Sequence, residues 1–376
     1  MLDVTHMADH LRKNAGRYFG DLARRHIQVD LAWAKHRWGS SIYRFNLKTT
    51  GHHHSVIVKV PVDRRTSKGG VASNMKDRPR LKPLTDLTVK FRFEHRALSA
   101  IHEYFVGLSD PRFGSVRTLE LLPDNRAIVM EYAGEPTLRK RLLKVNRFAA
   151  RHISTELKTA CRNAGAWLRA FHQLPSVEHT RARPTSRRDF VDAIREFTAF
   201  LSHSRGNAPF FQRIASITEA AASELLPESL PLGMGHGDYA PRNIFVSPAG
   251  QVTAFDTLAR WRVPIYEDIG WFLLALKASA PQVYSQGLLF CGDVIAECEE
   301  AFLRGYFPAH SDHEPAVRLF ELQALLNRWS SLVHAHRSSS GLWRIARGCR
   351  LSVIEPFFHR YAKRLLRQTA EPHVNC

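Results

Sequence analysis

The stretch His236-Gly237-Asp238-Tyr239-Ala240-Pro241-Arg242-Asn243-Ile244-Phe245 concentrates side chains that could do chemistry. Asp238 and Asn243 stand five residues apart around a proline-containing turn, and an apolar strand follows. Ser247-Pro248-Ala249-Gly250 then reads as a turn, and Val252 to Phe255 as a second strand that Asp256 ends. The spacing predicts a hairpin that returns Asp256 beside Asn243, so that two hard oxygen ligands converge near the carboxylate of Asp238. Such a set suits phosphoryl transfer. That reaction needs a divalent metal against the phosphate charge, and Mg²⁺ takes only one or two protein oxygens, with phosphate and water filling the rest. It also needs a carboxylate that orients an acceptor hydroxyl and receives its proton. A bare DxxxxN is common in capped hairpins. His236, Pro241 and the hairpin leading to Asp256 make this instance specific.

The HxDxxxxN pattern followed by a strand-terminal Asp resembles the catalytic and metal loops of protein-kinase-like enzymes. Its HGD start, without the arginine of HRD, is similar to the aminoglycoside phosphotransferase and choline kinase branch. The resemblance implies that Asp238 is the catalytic base, that Asn243 and Asp256 bind Mg²⁺, and that ATP is the donor. Upstream, Lys59 lies in Val56-Ile57-Val58-Lys59-Val60 and shares a face with Ile57. It resembles the strand lysine that contacts ATP phosphates. Its expected partner is Glu94, which sits among Phe91, Leu98, Ile101 and Phe105 on a helical apolar stripe, where a carboxylate needs a counter-charge. Trp38-Gly39-Ser40-Ser41 resembles the family's short Gly/Ser turn, which implies phosphate contacts from Ser40 and Ser41. Val129-Met130-Glu131-Tyr132-Ala133-Gly134 resembles the inter-lobe hinge, which implies adenine contacts from the backbone around Glu131 and Ala133. Trp167 to His172 resembles a family helix end. Tyr266-Glu267-Asp268-Ile269-Gly270 resembles the helix start whose aspartate, here Asp268, braces the catalytic loop. The resemblance covers about residues 30 to 280. Thr257-Leu258 stands where protein kinases have Phe-Gly, which argues against a mobile activation segment.

The elements that must position these residues divide at about residue 133. A leading helix is expected from His6 to His26, on the apolar spacing of Met7, Leu11, Phe19 and Leu22. Antiparallel strands follow at Ile42 to Leu47 and Val56 to Val60, with His52, His53 and His54 in an exposed loop between them. Residues 61–88 hold seven basic residues against three acids and read as a mobile basic loop. A helix from Thr88 to Tyr104 and a strand pair ending at Ala127 to Tyr132 complete this part. Beyond Gly134 come long helices: one with the stripe Leu157, Ala160, Ala164, Leu168 and Phe171, then others near 187–203, 208–226, 265–278, 283–304 and 313–336. The fold class expected is α+β and protein-kinase-like. A small antiparallel-sheet lobe (1–133) would carry the nucleotide, and a larger, mainly helical lobe (134–376) would carry the catalytic and metal loops and the acceptor site.

Composition limits the rest. An apolar fraction of 44% and a charged fraction of 24% suit a soluble globular chain of 376 residues. No apolar run is long enough to span a bilayer, and five scattered cysteines form no CxxC pair, which together suggest the cytoplasm. The 54 Lys and Arg outnumber 35 Asp and Glu, a formal charge of +19, so a polycationic acceptor would be repelled. The acceptor expected is therefore a neutral or anionic hydroxyl compound, such as a sugar or a cell-envelope glycoconjugate, rather than an aminoglycoside. A catalytically silent regulatory or binding protein of kinase fold is the alternative, and retention of Lys59, Asp238, Asn243 and Asp256 together speaks against it. A basic nucleic-acid-binding protein rests on charge alone, because no recognition motif accompanies it. Near the C-terminus, Ile354, Phe358, Tyr361 and Leu365 share a helical face among arginines. That stripe would pack on the helical lobe, with weak peripheral membrane contact as the lesser reading. Pro356 is expected to interrupt or start a helix there. Arg242 is open to phosphate, to acceptor or to solvent.

Overall fold

The first helix, α1 (Val4–Tyr18), is capped by Asp3, whose carboxylate accepts the His6 N–H at 3.0 Å. It buries Met7, Leu11, Ala15 and Tyr18, one per turn. The helix does not continue to His26. At Phe19 the backbone turns extended, and a short 3₁₀ turn, Gly20–Leu22, tucks Leu22 into the core instead. Glycines at 16 and 20 weaken the helix where it stops. The computed structural model describes residues 3–23, 25–36, 39–62, 87–144, 152–183, 185–288, 292–309 and 314–370. Most of the expected basic loop, and Trp38, lie outside the described residues.

Three long strands come next: β1 (Gln28–His36), β2 (Ser40–Thr49) and β3 (His52–Pro61). Helix α2 (Leu87–Leu108) precedes β4 (Phe113–Gly114), β5 (Thr118–Leu122) and β6 (Ala127–Glu131). Five of these strands pair antiparallel in the order β1-β2-β3-β6-β5. Strand alternation sorts the side chains to two cores. Phe45, Leu47, Val56, Val58 and Val129 pack with α1, while Ile57, Ile128 and Met130 pack with Phe91 and Leu98 of α2. The three histidines are not in a loop. The β2–β3 turn is Thr50–Gly51, with Gly51 at φ +88°, and His52 to His54 already pair with Thr49 to Leu47. His52 and His54, on one face, each reach Asp21 at 2.8 Å, which gives strand residues at this end a polar anchor.

The remaining elements are mostly helical. After α3 (Leu138–Lys144) and α4 (Thr155–His172) come β7 (Arg181–Ala182), α5 (Arg187–Arg205) and α6 (Ala208–Leu225). Short strands β8 (Leu232–Gly235), β9 (Ile244–Val246), β10 (Val252–Ala254) and β11 (Trp261–Pro264) follow. The chain then forms α7 (Ile265–Lys277), α8 (Ala280–Tyr284), α9 (Gly292–Tyr306), α10 (Glu314–Arg337) and α11 (Gly341–Ala370). The single helix expected over 283–304 is two, because Gln286 and Gly287 both take positive φ and end α8. Pro356 lies inside α11 rather than at its start. One lost backbone bond is outweighed there by burial of Ile354, Phe358, Tyr361 and Leu365 beside α10 and α6. The apolar stripe of α11 is thus committed to packing. The described residues up to 136, together with 253–258, form one compact unit, and those of 137–252 and from 259 onward form another. No helix among the described residues is long and apolar enough to cross a membrane.

Candidate active site

In the helical unit, β8 delivers the chain into the loop that carries Asp238. Gly237 turns it at φ +78°, a conformation that a side chain would strain. The loop backbone is held from α7: the His236 and Gly237 N–H groups donate to the two oxygens of Asp268, at 2.6 and 2.8 Å. Asp268 is only 2% exposed, and His172 lies 3.4 Å from its carboxylate. Burial opposes its charge, yet the hydrogen bond to His172 and the field of His236 hold its pKa down at about 2. Tyr239 locks the next position, fully buried against Trp167, with its hydroxyl donating to Ala164 O at 2.7 Å. A 3₁₀ turn, Pro241–Asn243, closes the loop.

Within this rigid loop Asp238 keeps its side chain about one-third exposed. Oδ1 accepts from the Trp271 indole N–H at 2.9 Å and from the Arg242 guanidinium. Oδ2 accepts from Asn243 Nδ2 at 2.9 Å, and the same amide donates to the Asp238 carbonyl at 2.9 Å. Both oxygens of Asp238 are therefore oriented by donors, and the Asn243 amide is turned so that its nitrogen faces Asp238. A carboxylate so placed can accept a proton without reorganising. Trp271 escaped the reading of the sequence. Its position one helical turn after Asp268 is the signal that would have found it, since the helix that braces the loop must present its next turn to it.

In the sheet unit, Lys59 of β3 projects on the α2 side. Its ammonium forms an ion pair with Glu94 and lies 2.9 Å from Asp256 Oδ1. Lys59 and Glu94 are nearly buried, and the second oxygen of Glu94 has no hydrogen-bond partner among the described residues. Burial disfavours the Lys59 charge, but the two carboxylates outweigh it and push its pKa up. Asp256 adopts φ +71°, a left-handed conformation that few non-glycine residues take and that asparagine and aspartate tolerate better than most. Ser40 and Ser41 open β2, opposite Pro61 and Val60 and so next to Lys59 on the neighbouring strand. Both are buried, and the Ser41 hydroxyl meets His36 Nδ1 at 2.8 Å. Gly39, just before them, leaves room for the Lys90 ammonium, 3.7 Å from where a Cβ would sit. Lys90 also went unread, although it stands one turn before Glu94. Glu131 ends β6, where its N–H donates to the Arg117 carbonyl and its carboxylate pairs with Arg117 at 3.1 Å; Ala133 follows two residues on.

A model of the phosphotransferase enzyme family matches residues 34–320, well over half of the chain. The chain belongs to that phosphotransferase family. Solved structures agree with this phosphotransferase in fold. A Ralstonia eutropha protein provisionally assigned as an aminoglycoside phosphotransferase superposes with a TM-score of 0.56 at 13% identity, over 97% of this chain and 99% of its own. The macrolide 2′-phosphotransferase MphH of Brachybacterium faecium gives 0.52 at 11% identity, over 93% and 98%. A type I macrolide 2′-phosphotransferase gives 0.50 at 12% identity, again over 93% and 98%. No curated protein matches the sequence significantly. The phosphotransferase is α+β and kinase-like, with an antiparallel N-terminal sheet and a mostly helical remainder.

Proposed function

We propose that this phosphotransferase moves the γ-phosphate of ATP, with Mg²⁺, onto a hydroxyl of a small molecule, and that Asp238 is its base. The observation that carries the reading is the fixed Asp238 carboxylate. It is held by Trp271, Arg242 and Asn243 on a loop that Asp268 clamps, and it stays partly exposed while Tyr239, Ala240 and Asn243 around it are buried.

The donor chemistry suits the cofactors. Because the Asn243 nitrogen donates to Asp238, its amide oxygen is left for a cation, and Asp256 would add a carboxylate. Oxygen donors of this kind fit Mg²⁺ rather than a soft metal. Asn243 and Asp256 would hold the ion, which when bound neutralises phosphate charge. Lys59, oriented by Glu94, would hold the nucleotide phosphates, with Ser40 and Ser41 near them and the backbone at Glu131 and Ala133 against the base. Arg242 and Asn243 keep Asp238 aimed. Asp238 takes the proton of the acceptor hydroxyl as its oxygen bonds to the γ-phosphorus, and the bond to the departing ADP oxygen breaks. The basic surface favours a neutral or anionic acceptor, such as a sugar or glycoconjugate, and a cytoplasmic setting is in keeping with ATP as donor.

The test is transfer of labelled γ-phosphate from Mg-ATP to a panel of sugars, amino alcohols, aminoglycosides and glycolipids. Asp238→Asn is expected to lose roughly 10²- to 10⁴-fold in rate while still binding nucleotide. Undiminished transfer by that variant would remove Asp238 from the mechanism.

A further inference from the structure

A cavity of about 440 Å³ opens in the helical unit, a size ordinary for small-molecule sites. Two of its lining residues, Arg242 and Trp271, hydrogen-bond Oδ1 of Asp238, so the cavity adjoins the proposed base. Leu142, Leu274 and neighbouring aliphatic side chains make one wall. The charged lining is all of one sign: Arg139, Arg242 and Arg328, with no carboxylate among the lining residues. The charge of Arg242 is matched by Asp238, but Arg139 and Arg328 form no ion pair or hydrogen bond among the described residues. Arg328 is half-buried on α10. Burial, followed by the nearby Arg242 and Arg350 guanidiniums, lowers its pKa from the usual arginine value, and the weaker opposing fields of Asp238 and Tyr284 do not make up the difference. A desolvated guanidinium without a partner is costly, and a guanidinium is the side chain best shaped to take an oxyanion by two parallel bonds.

We propose that the acceptor is an anionic hydroxy compound, a sugar-sized molecule bearing a carboxylate or phosphate. Its anionic group pairs with Arg328 and Arg139, and its hydroxyl is presented to Asp238. This deepens the phosphotransferase reading and rests on it. A cationic acceptor meets three positive charges and one carboxylate already bonded to Arg242 and Asn243. A neutral sugar leaves Arg328 unpaired. The apolar wall accommodates a carbon face of the ring or a short aliphatic portion.

The experiment measures both transfer and direct binding with glucose 6-phosphate, glucuronate, glucose and glucosamine as probes. Wild type, Arg328→Gln and Arg328→Lys are compared, each checked for folding by circular dichroism. Wild type is expected to bind and use at least one anionic probe in preference to glucose and glucosamine, and the relative response to the phosphate and the carboxylate identifies the anionic group. Arg328→Gln should raise KM for that probe by roughly 10- to 100-fold with a smaller change in kcat, as loss of a charged hydrogen bond does. Arg328→Lys should recover part of the loss. Transfer that prefers glucose or glucosamine overturns the anionic acceptor and leaves the phosphotransferase reading standing. Binding of an anionic probe that depends on Arg328, with no transfer to any acceptor class, upholds the pocket and sinks the reading beneath it. Equal binding of all four probes, or anion binding unchanged in Arg328→Gln, overturns the proposal.

Discussion

Asp268 is almost entirely buried and accepts two backbone hydrogen bonds from the loop that presents Asp238. Its depressed pKa has a consequence for stability. A carboxylate that titrates at about 2 when folded and near its ordinary value when unfolded stabilises the fold fully above about pH 4. That contribution is lost as pH falls through 2. The difference amounts to about 2 kcal/mol. Urea midpoints followed from pH 5 to pH 2 should therefore fall more steeply for wild type than for Asp268→Asn, which has no such proton to bind. Parallel pH profiles would mean that Asp268 is not the group responsible. At this scale the sequence was informative where chemistry is local. The pairing of Asp238 with Asn243 comes from their spacing round Pro241. The contact of Lys59 with Glu94 follows from a strand lysine and a carboxylate on an apolar helical stripe, neither of which can be buried alone. Lys90 and Trp271 were passed over because a single lysine or tryptophan at helical spacing carries no signature until its neighbours are known.

Helices that hold the site depend on close approaches which their apolar stripes do not reveal. Helix α4, which supplies Trp167 and Ala164 to the Asp238 loop, packs on α9 through Gly165 and Gly305. A Cβ on Gly165 would come within 2.0 Å of Phe302 O, and one on Gly305 within 1.9 Å of Arg162 O. These are backbone atoms, so neither clash can be relieved by a rotamer change. Gly305→Ala should cost about 1–3 kcal/mol or more, since overpacking must push two helices apart. Thermal unfolding checks this, and a melting temperature within a degree of wild type would show that the interface yields. Gly20, which faces open space, is the comparison expected to tolerate Ala far better. Element types and most boundaries were legible from periodicity, because a 3.6-residue stripe is a local property. The exceptions were made by backbone conformations with weak sequence signals: Gln286 with Gly287 splitting α8 from α9, and Gly51 moving the turn off the histidines. In α11 the error ran the other way, as tertiary burial kept a helix intact across Pro356.

Across the helical unit, α7, α9, α10 and α11 meet at a buried charged network. Lys277 reaches Glu299 at 2.7 Å and Glu321 at 2.9 Å, Arg318 bonds both glutamates, and the Tyr361 hydroxyl donates to Glu321. At its buried centre two cations face two anions, and Glu314, mostly exposed, adds a third carboxylate to Arg318 at 2.8 Å. Burial works against the Glu321 charge, yet Lys277 and Arg318 hold its pKa below the ordinary carboxylate range. Glu321→Ala would leave Lys277 and Arg318 sharing Glu299 as their buried carboxylate, with the exposed Glu314 reaching Arg318 alone, at a cost of about 3–5 kcal/mol. Denaturant unfolding should show that loss, and a change under about 1 kcal/mol would mean that the cations find water or new partners. The formal charge of +19 gave no hint of this balance, because net charge counts side chains without regard to where they pair. By itself the sequence determined the α+β class, the kinase-like order of elements and the loop that carries Asp238. The order of elements and the loop are written in short-range spacing and hydrophobic period, and their kinase-like character is what the resemblance of the motifs implied. Only the tertiary structure decided that Arg139 of α3 and Arg328 of α10 line one cavity with Arg242 and Trp271, and that Asp268 carries the loop on its two oxygens. Those groups are far apart in the chain. They meet only because helix packing brings their faces together, and no local pattern encodes which faces those will be.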